Sequence, residues 1–536
     1  VLKLVLFMFY CRCRFLLFFT LTLLLPGLGW AQQQNPKPLL ITVDLKKKAQ
    51  TINNFGAAGC WYAEGIGKHW PAEKKERIAE LLFSREVDAQ GNPKGIGLSA
   101  WRFNIGGGTA EQGDSSGIRD VNRRVEGFLN NDGSYNWNKQ PGQTWFLQKA
   151  KQYGVENLIA FANTPPVQYT QNGLGFKTTK DYRSNLQPDK YEAYTNFLAE
   201  VLRHYEGKGL GFKYISPVNE PQWDWTGKFG EAKQEGTPWQ NPEIARVVRA
   251  LDNSLTTKKL ATQIILPEAA KLTYLYGEKA PAARQTQQFF GKGSPSHLGN
   301  LKHVPPLVVG HSYFTDEGDS AIVAVRQQVA DTARHYGVRF WQSEYSMLAD
   351  GFREGTKARR TAMDCGLFLA KLIHQDLTVA NAAAWQFWNA FEPGRAEFDT
   401  RYYLIALQPN ATHTDGNYQQ TKNLWALGHY SLFIRPGMHR LNINRSDKLN
   451  PVAAAQKVMV SAYTGQKGEL VVVAINYEPE ARNLQLAAKG MNKGTTYQRY
   501  VTTASPDDNL KRYPGGKLNQ AISLPPRSIT TLVVKD

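Results

Sequence analysis

Phe212-Lys213-Tyr214-Ile215-Ser216-Pro217-Val218-Asn219-Glu220-Pro221 reads as a short, mostly apolar strand that delivers an amide and a carboxylate at its C-terminal mouth. A second strand-ending carboxylate follows 124 residues later, Glu344 in Phe340-Trp341-Gln342-Ser343-Glu344-Tyr345. Strands that are apolar throughout need cover on both faces, which is the setting of a parallel sheet wrapped in helices.

Working outward, strand-like and helix-like runs alternate from about residue 52 to 435. The other candidate strands are 54–58, 98–104, 157–162, 263–267, 307–312 and 382–388, with the two quoted runs extending over 212–218 and 339–344. Between them, Pro71 opens a segment whose Ile78, Leu81 and Leu82 fall on one helical face. Tyr191, Tyr194, Leu198, Val201, Leu202 and Tyr205 recur at helical steps and form another buried stripe. Eight strands with intervening helices predict an α/β fold, a (β/α)8 TIM barrel.

After Arg435-Pro436-Gly437 the texture changes. Runs at 457–464, 470–476, 482–487, 495–502 and 529–534 are rich in β-formers and are separated by Gly, Asn, Asp and Pro. They predict a C-terminal antiparallel β-sandwich. Leu39–Leu45 is also strand-like and is expected to join that sandwich. The organisation read here is 1–31 export signal, 32–51 strand segment, 52–437 barrel and 438–536 sandwich.

The signal is read from Lys3, Arg12 and Arg14 ahead of the apolar core Phe15–Leu25, with Gly29-Trp30-Ala31 at the cleavage positions. Its removal lowers the formal charge from +18 to +15. An exported protein, periplasmic or secreted, is expected, with no stable membrane insertion afterwards. Lys and Arg are spread along the chain rather than concentrated, which argues against a nucleic-acid partner. Cys60 and Cys365 remain after cleavage, far apart in sequence, and are expected as buried free thiols. No Cys/His spacing calls for a metal, and no cofactor is expected.

Functional groups of such a barrel gather at the C-terminal strand ends. Glu220 ends the fourth strand and Glu344 the seventh. Two carboxylates facing one sugar are the equipment for glycoside hydrolysis, with retention if they lie about 5–5.5 Å apart. Glu220 is assigned as acid/base, needing a raised pKa, and Glu344 as nucleophile, needing donors that keep it ionised. Asn219 is placed to hold the sugar 2-hydroxyl. A β-linked polysaccharide or oligosaccharide is the expected partner.

These features resemble glycoside hydrolase family 30. The resemblance rests on Trp101-Arg102-Phe103-Asn104-Ile105-Gly106-Gly107-Gly108, Asn219-Glu220-Pro221 and Ser343-Glu344. It extends to Tyr430-Ser431-Leu432-Phe433-Ile434-Arg435-Pro436-Gly437 and Leu524-Pro525-Pro526-Arg527-Ser528-Ile529. It implies that Arg102 braces Glu344, that His311 and Tyr313 lie beside the pair, and that Trp388 floors the cleavage subsite. Asn163 would shape one wall. Trp61, Trp223 and Trp225 would either stack on neighbouring sugars or pack their loops. Within the family, segments 106–122 and 221–225 most resemble endo-β-1,6-galactanase-like members. Relatives cleave β-1,6-glucan, glucuronoxylan or glucosylceramide.

Two other classes compete with this reading. Gly95-Ile96-Gly97-Leu98-Ser99-Ala100 fits a loose dinucleotide fingerprint, but it precedes a strand where the fingerprint must follow one. A silent carbohydrate-binding barrel is disfavoured by the presence of both glutamates.

Overall fold

The computed structural model describes residues 37–492 and 494–534; the expected export signal lies outside them. Residues Pro38–Asp536 fall in one compact unit, whose described part carries two nine-stranded sheets.

The first sheet is parallel and contains β2 (Asn54–Ala58), β3 (Ala100–Asn104), β4 (Asn157–Phe161), β5 (Tyr214–Ser216), β6 (Gln263–Ile264), β7 (Leu266–Ala269), β8 (Leu307–His311), β9 (Arg339–Glu344) and β10 (Ala384–Phe387). The order β6-β5-β4-β3-β2-β10-β9-β8-β7 begins and ends on two pieces of one strand, interrupted at Ile265. β6 pairs with β5 and β7 with β8, so this broken strand closes the cylinder. The expected eight strands are all present, the fifth of them in two pieces. Ala100, Ile159, Tyr214, Ile265, Leu307, Val309, Trp341, Ala383 and Ala384 fill the cylinder with side chains, which leaves only the C-terminal rim for a ligand.

Helices pack around this sheet through the stripes read from the sequence. Ala72–Phe83 buries Ile78, Leu81 and Leu82, and Tyr191–Gly207 buries Tyr194, Leu198, Val201, Leu202 and Tyr205. The Tyr194 hydroxyl donates to the Pro217 carbonyl at 2.7 Å, tying that helix to the turn that carries Glu220. Beyond β10 the chain adds a small sheet absent from the sequence reading: β11 (Phe391–Pro393), β12 (Ile405–Pro409) and β13 (Gly416–Gln420).

The second large sheet joins β1 (Leu39–Thr51) to β14 (His439–Arg445), β15 (Val458–Thr464), β16 (Leu470–Asn476), β17 (Arg482–Lys489), β18 (Thr496–Thr502), β19 (Lys511–Lys517), β20 (Ile522–Leu524) and β21 (Ser528–Val534). It encloses its own apolar core, including Ile41, Val43, Val460, Val472, Leu484 and Leu532. β1 joins as expected but runs on to Thr51. It pairs antiparallel with β14 and parallel with β17, so one pair departs from the otherwise antiparallel pattern. β14, β19 and β20 were not read as strands.

The two sequence signatures that flank the sandwich bind it to the barrel. Arg435 donates to the Gly97 carbonyl and to Glu156 at 2.8 Å. Gly437, at φ +91, turns the chain so that its N–H reaches the Ile52 carbonyl at 2.8 Å. Arg527 meets Asp364, on the barrel helix Ala362–Thr378, at 2.5 Å. Cys60 and Cys365 are both free and buried. Gly95–Ala100 leads into β3 and opens no helix, which removes the dinucleotide reading. Among the described residues, no helix is long and apolar enough to cross a membrane.

Candidate active site

Four strand ends bring charged groups to one place on the rim. Arg102 comes from β3, Glu268 from β7, His311 from β8 and Glu344 from β9. Glu220 follows β5 after Pro217, Val218 and Asn219. Carboxylate oxygens of Glu220 and Glu344 lie within 4.8 Å of each other and of a His311 ring nitrogen.

Local irregularity aims these side chains. Between β7 and β8 the register slips after Pro267, leaving Glu268 as the extra residue. A second slip sets His311 against Glu344. An extra residue in a strand turns its side chain out of the regular alternation, a common device beside active sites. Glu220 and Glu268 have φ of 42° and 53°, in the left-handed region that costs a non-glycine residue about 1–3 kcal/mol. The Glu220 N–H donates to the Glu268 carbonyl at 2.9 Å, coupling the two strained residues.

The environments of the three carboxylates differ. Glu344 Oε2 accepts from Arg102 Nη1 at 2.5 Å, and its Oε1 accepts from the Tyr313 hydroxyl at 3.1 Å. Glu268 is fully buried and accepts from Ser216, from Ser343 at 2.6 Å and from His311 Nε2 at 3.1 Å. Burial pulls its pKa up, but the charges of Arg102 and His311 and these hydrogen bonds prevail and hold it at about 2. Glu220 has fewer donors: His311 Nδ1 reaches Oε1 at 2.9 Å. Its pKa is raised, first by burial and then by the charge of Glu344 against the opposing pull of His311.

His311 binds this cluster together. Burial lowers its pKa, yet Glu344, Glu220 and Glu268 outweigh that and push it up to about 10. It is therefore an imidazolium, donating from both nitrogens. The charge balance then sets the proton inventory. Arg102 and His311 supply two positive charges, and Glu268 and Glu344 supply two negative ones. With those charges the cluster is balanced when Glu220 holds a proton, in line with its raised pKa.

The cavity above the cluster has a volume of about 270 Å3 and is lined in part by Glu220, Glu344, Tyr313, Asn163 and Asn219. Asn219 Nδ2 donates to Asn163 Oδ1 at 3.0 Å. Trp388 and Trp61 line it and meet edge to face, with ring centres 5.2 Å apart. Trp225 also lines it and donates its indole N–H to the Glu220 carbonyl at 3.1 Å. Arg102 and His311 lie beneath the two carboxylates. Trp223 is the one anticipated residue that neither lines the cavity nor contacts the two carboxylates from beneath; it packs edge-on against Phe314.

The sequence reading missed Glu268, although Leu266-Pro267-Glu268 offers the same strand-ending carboxylate signal as the other two. It also missed Arg123, Gln234 and Tyr402, which line the cavity from outside the strands, and Glu392 of the short strand β11. No strand periodicity marks them.

A closed barrel with paired carboxylates on its C-terminal rim, joined to a β-sandwich, defines a class of glycosidase. The sequence model of O-Glycosyl hydrolase family 30 matches residues 38–399, and the chain belongs to that family. It is an O-glycosyl hydrolase. An endo-β-1,6-galactanase of Hypocrea rufa is 23% identical over 523 residues, covering 93% of this chain and 95% of that protein. Glucuronoxylanase XynC of Bacillus subtilis is 24% identical over 453 residues, covering 82% and 88%. Among solved structures, a conserved exported protein from Bacteroides fragilis is 33% identical with a TM-score of 0.85, covering 92% of this chain and 100% of that one.

Proposed function

We propose that the protein is a retaining endo-β-1,6-galactanase with Glu344 as nucleophile and Glu220 as acid/base. The observation that carries the mechanism is the approach of the two carboxylates to within 4.8 Å. An inverting pair stands about 6.5–9.5 Å apart to leave room for water.

In the first step a Glu344 oxygen attacks the anomeric carbon as the bond to the leaving oxygen breaks. Glu220 gives its proton to that oxygen. Arg102 and Tyr313 orient Glu344, and His311 on Glu220 Oε1 leaves the other oxygen to carry the proton. Asn219 is placed beside the pair for the 2-hydroxyl of the bound sugar.

The glycosyl-enzyme has lost the charge of Glu344. With Arg102 and His311 still positive and only Glu268 negative, the cluster is balanced when Glu220 is ionised. The same residue therefore becomes the base for the second step, removing a proton from the water that attacks the anomeric carbon and frees Glu344. Charge balance drives the exchange of roles, and no group has to move.

The choice of galactan is supported by the nearly full-length match to the Hypocrea rufa galactanase and by the resemblance of segments 106–122 and 221–225. Export is supported by the basic and apolar composition of residues 1–31 and by the similarity to the exported protein of Bacteroides fragilis. The test is product analysis on β-1,6-galactan, arabinogalactan, β-1,6-glucan and glucuronoxylan, with the anomer followed by proton NMR. Short β-1,6-galactooligosaccharides released first as the β-anomer are expected. Activity on glucuronoxylan alone would overturn the substrate, and initial release of the α-anomer would overturn the mechanism.

A further inference from the structure

Gly106-Gly107-Gly108, which follows β3 on the rim, packs closely against neighbouring loops. A Cβ at Gly106 would overlap the Glu126 carbonyl, and one at Gly107 would lie 2.6 Å from Thr164 and 3.3 Å from Glu235. The reaction steps make no use of this motif. It receives a carboxylate that they do not use either. Glu235 is fully buried. The Gly107 N–H points between its two oxygens, 3.1 Å from each, and Thr109 donates its hydroxyl to Oε1 at 2.6 Å. The same Thr109 oxygen accepts the Val125 N–H at 2.9 Å. Glu235 thereby fastens its own loop to the one that leaves β3.

The residues on either side of Glu235 carry this anchor into the site. Gln234 lines the catalytic cavity. Gly236 donates its N–H to the Gly175 carbonyl at 2.9 Å, and a Cβ at Gly175 would lie 2.5 Å from Thr109 and 3.2 Å from Glu235. A Cβ at Gly236 would overlap the Trp225 ring, so the indole rests directly on the Gly236 backbone. Trp225 has a φ of 51°, and its indole N–H reaches the Glu220 carbonyl at 3.1 Å. Two residues at positive φ, joined by one hydrogen bond, have to be held from outside. Burial raises the Glu235 pKa to about 7 against the pull of its donors. Above that pH the ionised group costs the fold stability, so stability alone does not explain its place.

We propose that Glu235 is a positioning residue for Glu220. It fixes Gly236, Gly236 seats the Trp225 ring, and the indole N–H holds the Glu220 carbonyl, so that the Glu220 side chain keeps its aim into the cavity. The inference rests on the proposed role of Glu220 as acid/base and not on the choice of galactan.

The test uses the full chain and the glycan that the wild type cleaves. Glu235→Gln turns one of the two acceptors facing the Gly107 N–H into a donor. Gly236→Ala pushes a methyl group into the Trp225 ring without touching the carboxyl, and Trp225→Phe removes the indole donor. Thermal melts establish that each is folded; should Glu235→Gln fail to fold, Gly236→Ala takes its place throughout. Glu235→Gln and Gly236→Ala are each expected to lower kcat about 10-fold with a smaller change in KM. Adding either to Trp225→Phe should cost less than about 2-fold more, because both act on one contact. Losses that multiply, or a wild-type kcat in either folded variant, would overturn the proposal. A separate arm tests the reading beneath it. On an aryl glycoside whose leaving group needs no proton, Glu220→Ala should keep a fast first turnover, and so should Glu235→Gln. Loss of that turnover in Glu220→Ala would refute the acid/base role itself, while the paired variants still decide whether Glu235 acts through Trp225. Loss in Glu235→Gln alone would show that Glu235 acts on something other than Glu220.

Discussion

His311 donates its Nε2 proton to Glu268 at 3.1 Å, and through that contact a carboxylate that never reaches the cavity governs one that does. Glu268 is a positioning residue. Its charge keeps His311 protonated, and the protonated His311 in turn orients Glu220.

Replacing Glu268 by Gln removes one negative charge from a balanced cluster. With Glu220 protonated the cluster then carries a net positive charge, which favours ionisation of Glu220. The expected result is an alkaline limb of kcat/KM displaced to lower pH by about one unit or more, with activity at neutral pH down about 10-fold or more. A pH–rate profile decides it. An unshifted limb with a uniform loss of activity would reduce Glu268 to scaffolding.

The paired roles predict opposite stereochemistry in two rescue experiments. Glu344→Ala and Glu220→Ala should each lose about 10³-fold or more on natural glycans. Added azide fits the space left by either carboxyl group. In Glu344→Ala it attacks the anomeric carbon directly from the nucleophile's side, giving the α-glycosyl azide. In Glu220→Ala it attacks the glycosyl-enzyme, and two inversions give the β-glycosyl azide. On an aryl glycoside whose leaving group needs no proton, Glu220→Ala should retain a fast first turnover. NMR of the products and a burst of released phenol check both points. The α-azide from Glu220→Ala would reverse the assignment.

The same cluster links stability to pH in two directions. Glu268 is held at about 2 against an ordinary value of 4.5. Its folded pKa is depressed, so its contribution is complete above 4.5 and is lost as pH falls toward 2. His311 is raised to about 10 from 6.5, so its contribution is complete below 6.5 and is lost as pH rises toward 10. Urea midpoints should therefore fall on both sides of the interval 4.5–6.5. Glu268→Gln should flatten the acid side relative to wild type, and parallel curves for the two proteins would contradict the linkage.

What the sequence disclosed follows from how strongly each element is constrained. The barrel strands were legible because burial on both faces leaves runs such as Leu307-Val308-Val309 without polar interruption. Glu220 and Glu344 were legible as carboxylates that end such runs. Lys511-Arg512-Tyr513-Pro514-Gly515-Gly516-Lys517 carries Pro and two Gly, which read as breakers. It is nevertheless β19, at the sheet edge where Pro and Gly are tolerated. Gly416-Asn417-Tyr418-Gln419-Gln420 is too polar to announce β13. Glu268 carried the right signal, but its importance lies in a slipped register and in contacts to β3, β8 and β9, none of which has a local signature. Trp223 had the right composition and position for the cavity, and Phe314 takes its ring instead.

Support for Glu220 also comes from the layer outside the barrel. Tyr194 is fully buried on its helix, and its hydroxyl donates to the carbonyl of Pro217, three residues before Glu220. Tyr194→Phe keeps the ring packing and leaves that buried carbonyl without this donor. The expected cost is about 1–3 kcal/mol in urea unfolding. Because Glu220 sits at positive φ, where the backbone has to be held by its surroundings, loosening Pro217 should also lower kcat several-fold while KM changes little. The Glu220→Gln background provides the control. If the effect acts through Glu220, adding Tyr194→Phe there should cost stability but little further activity. An equal loss of activity in both backgrounds would mean that the Tyr194 contact serves the fold alone.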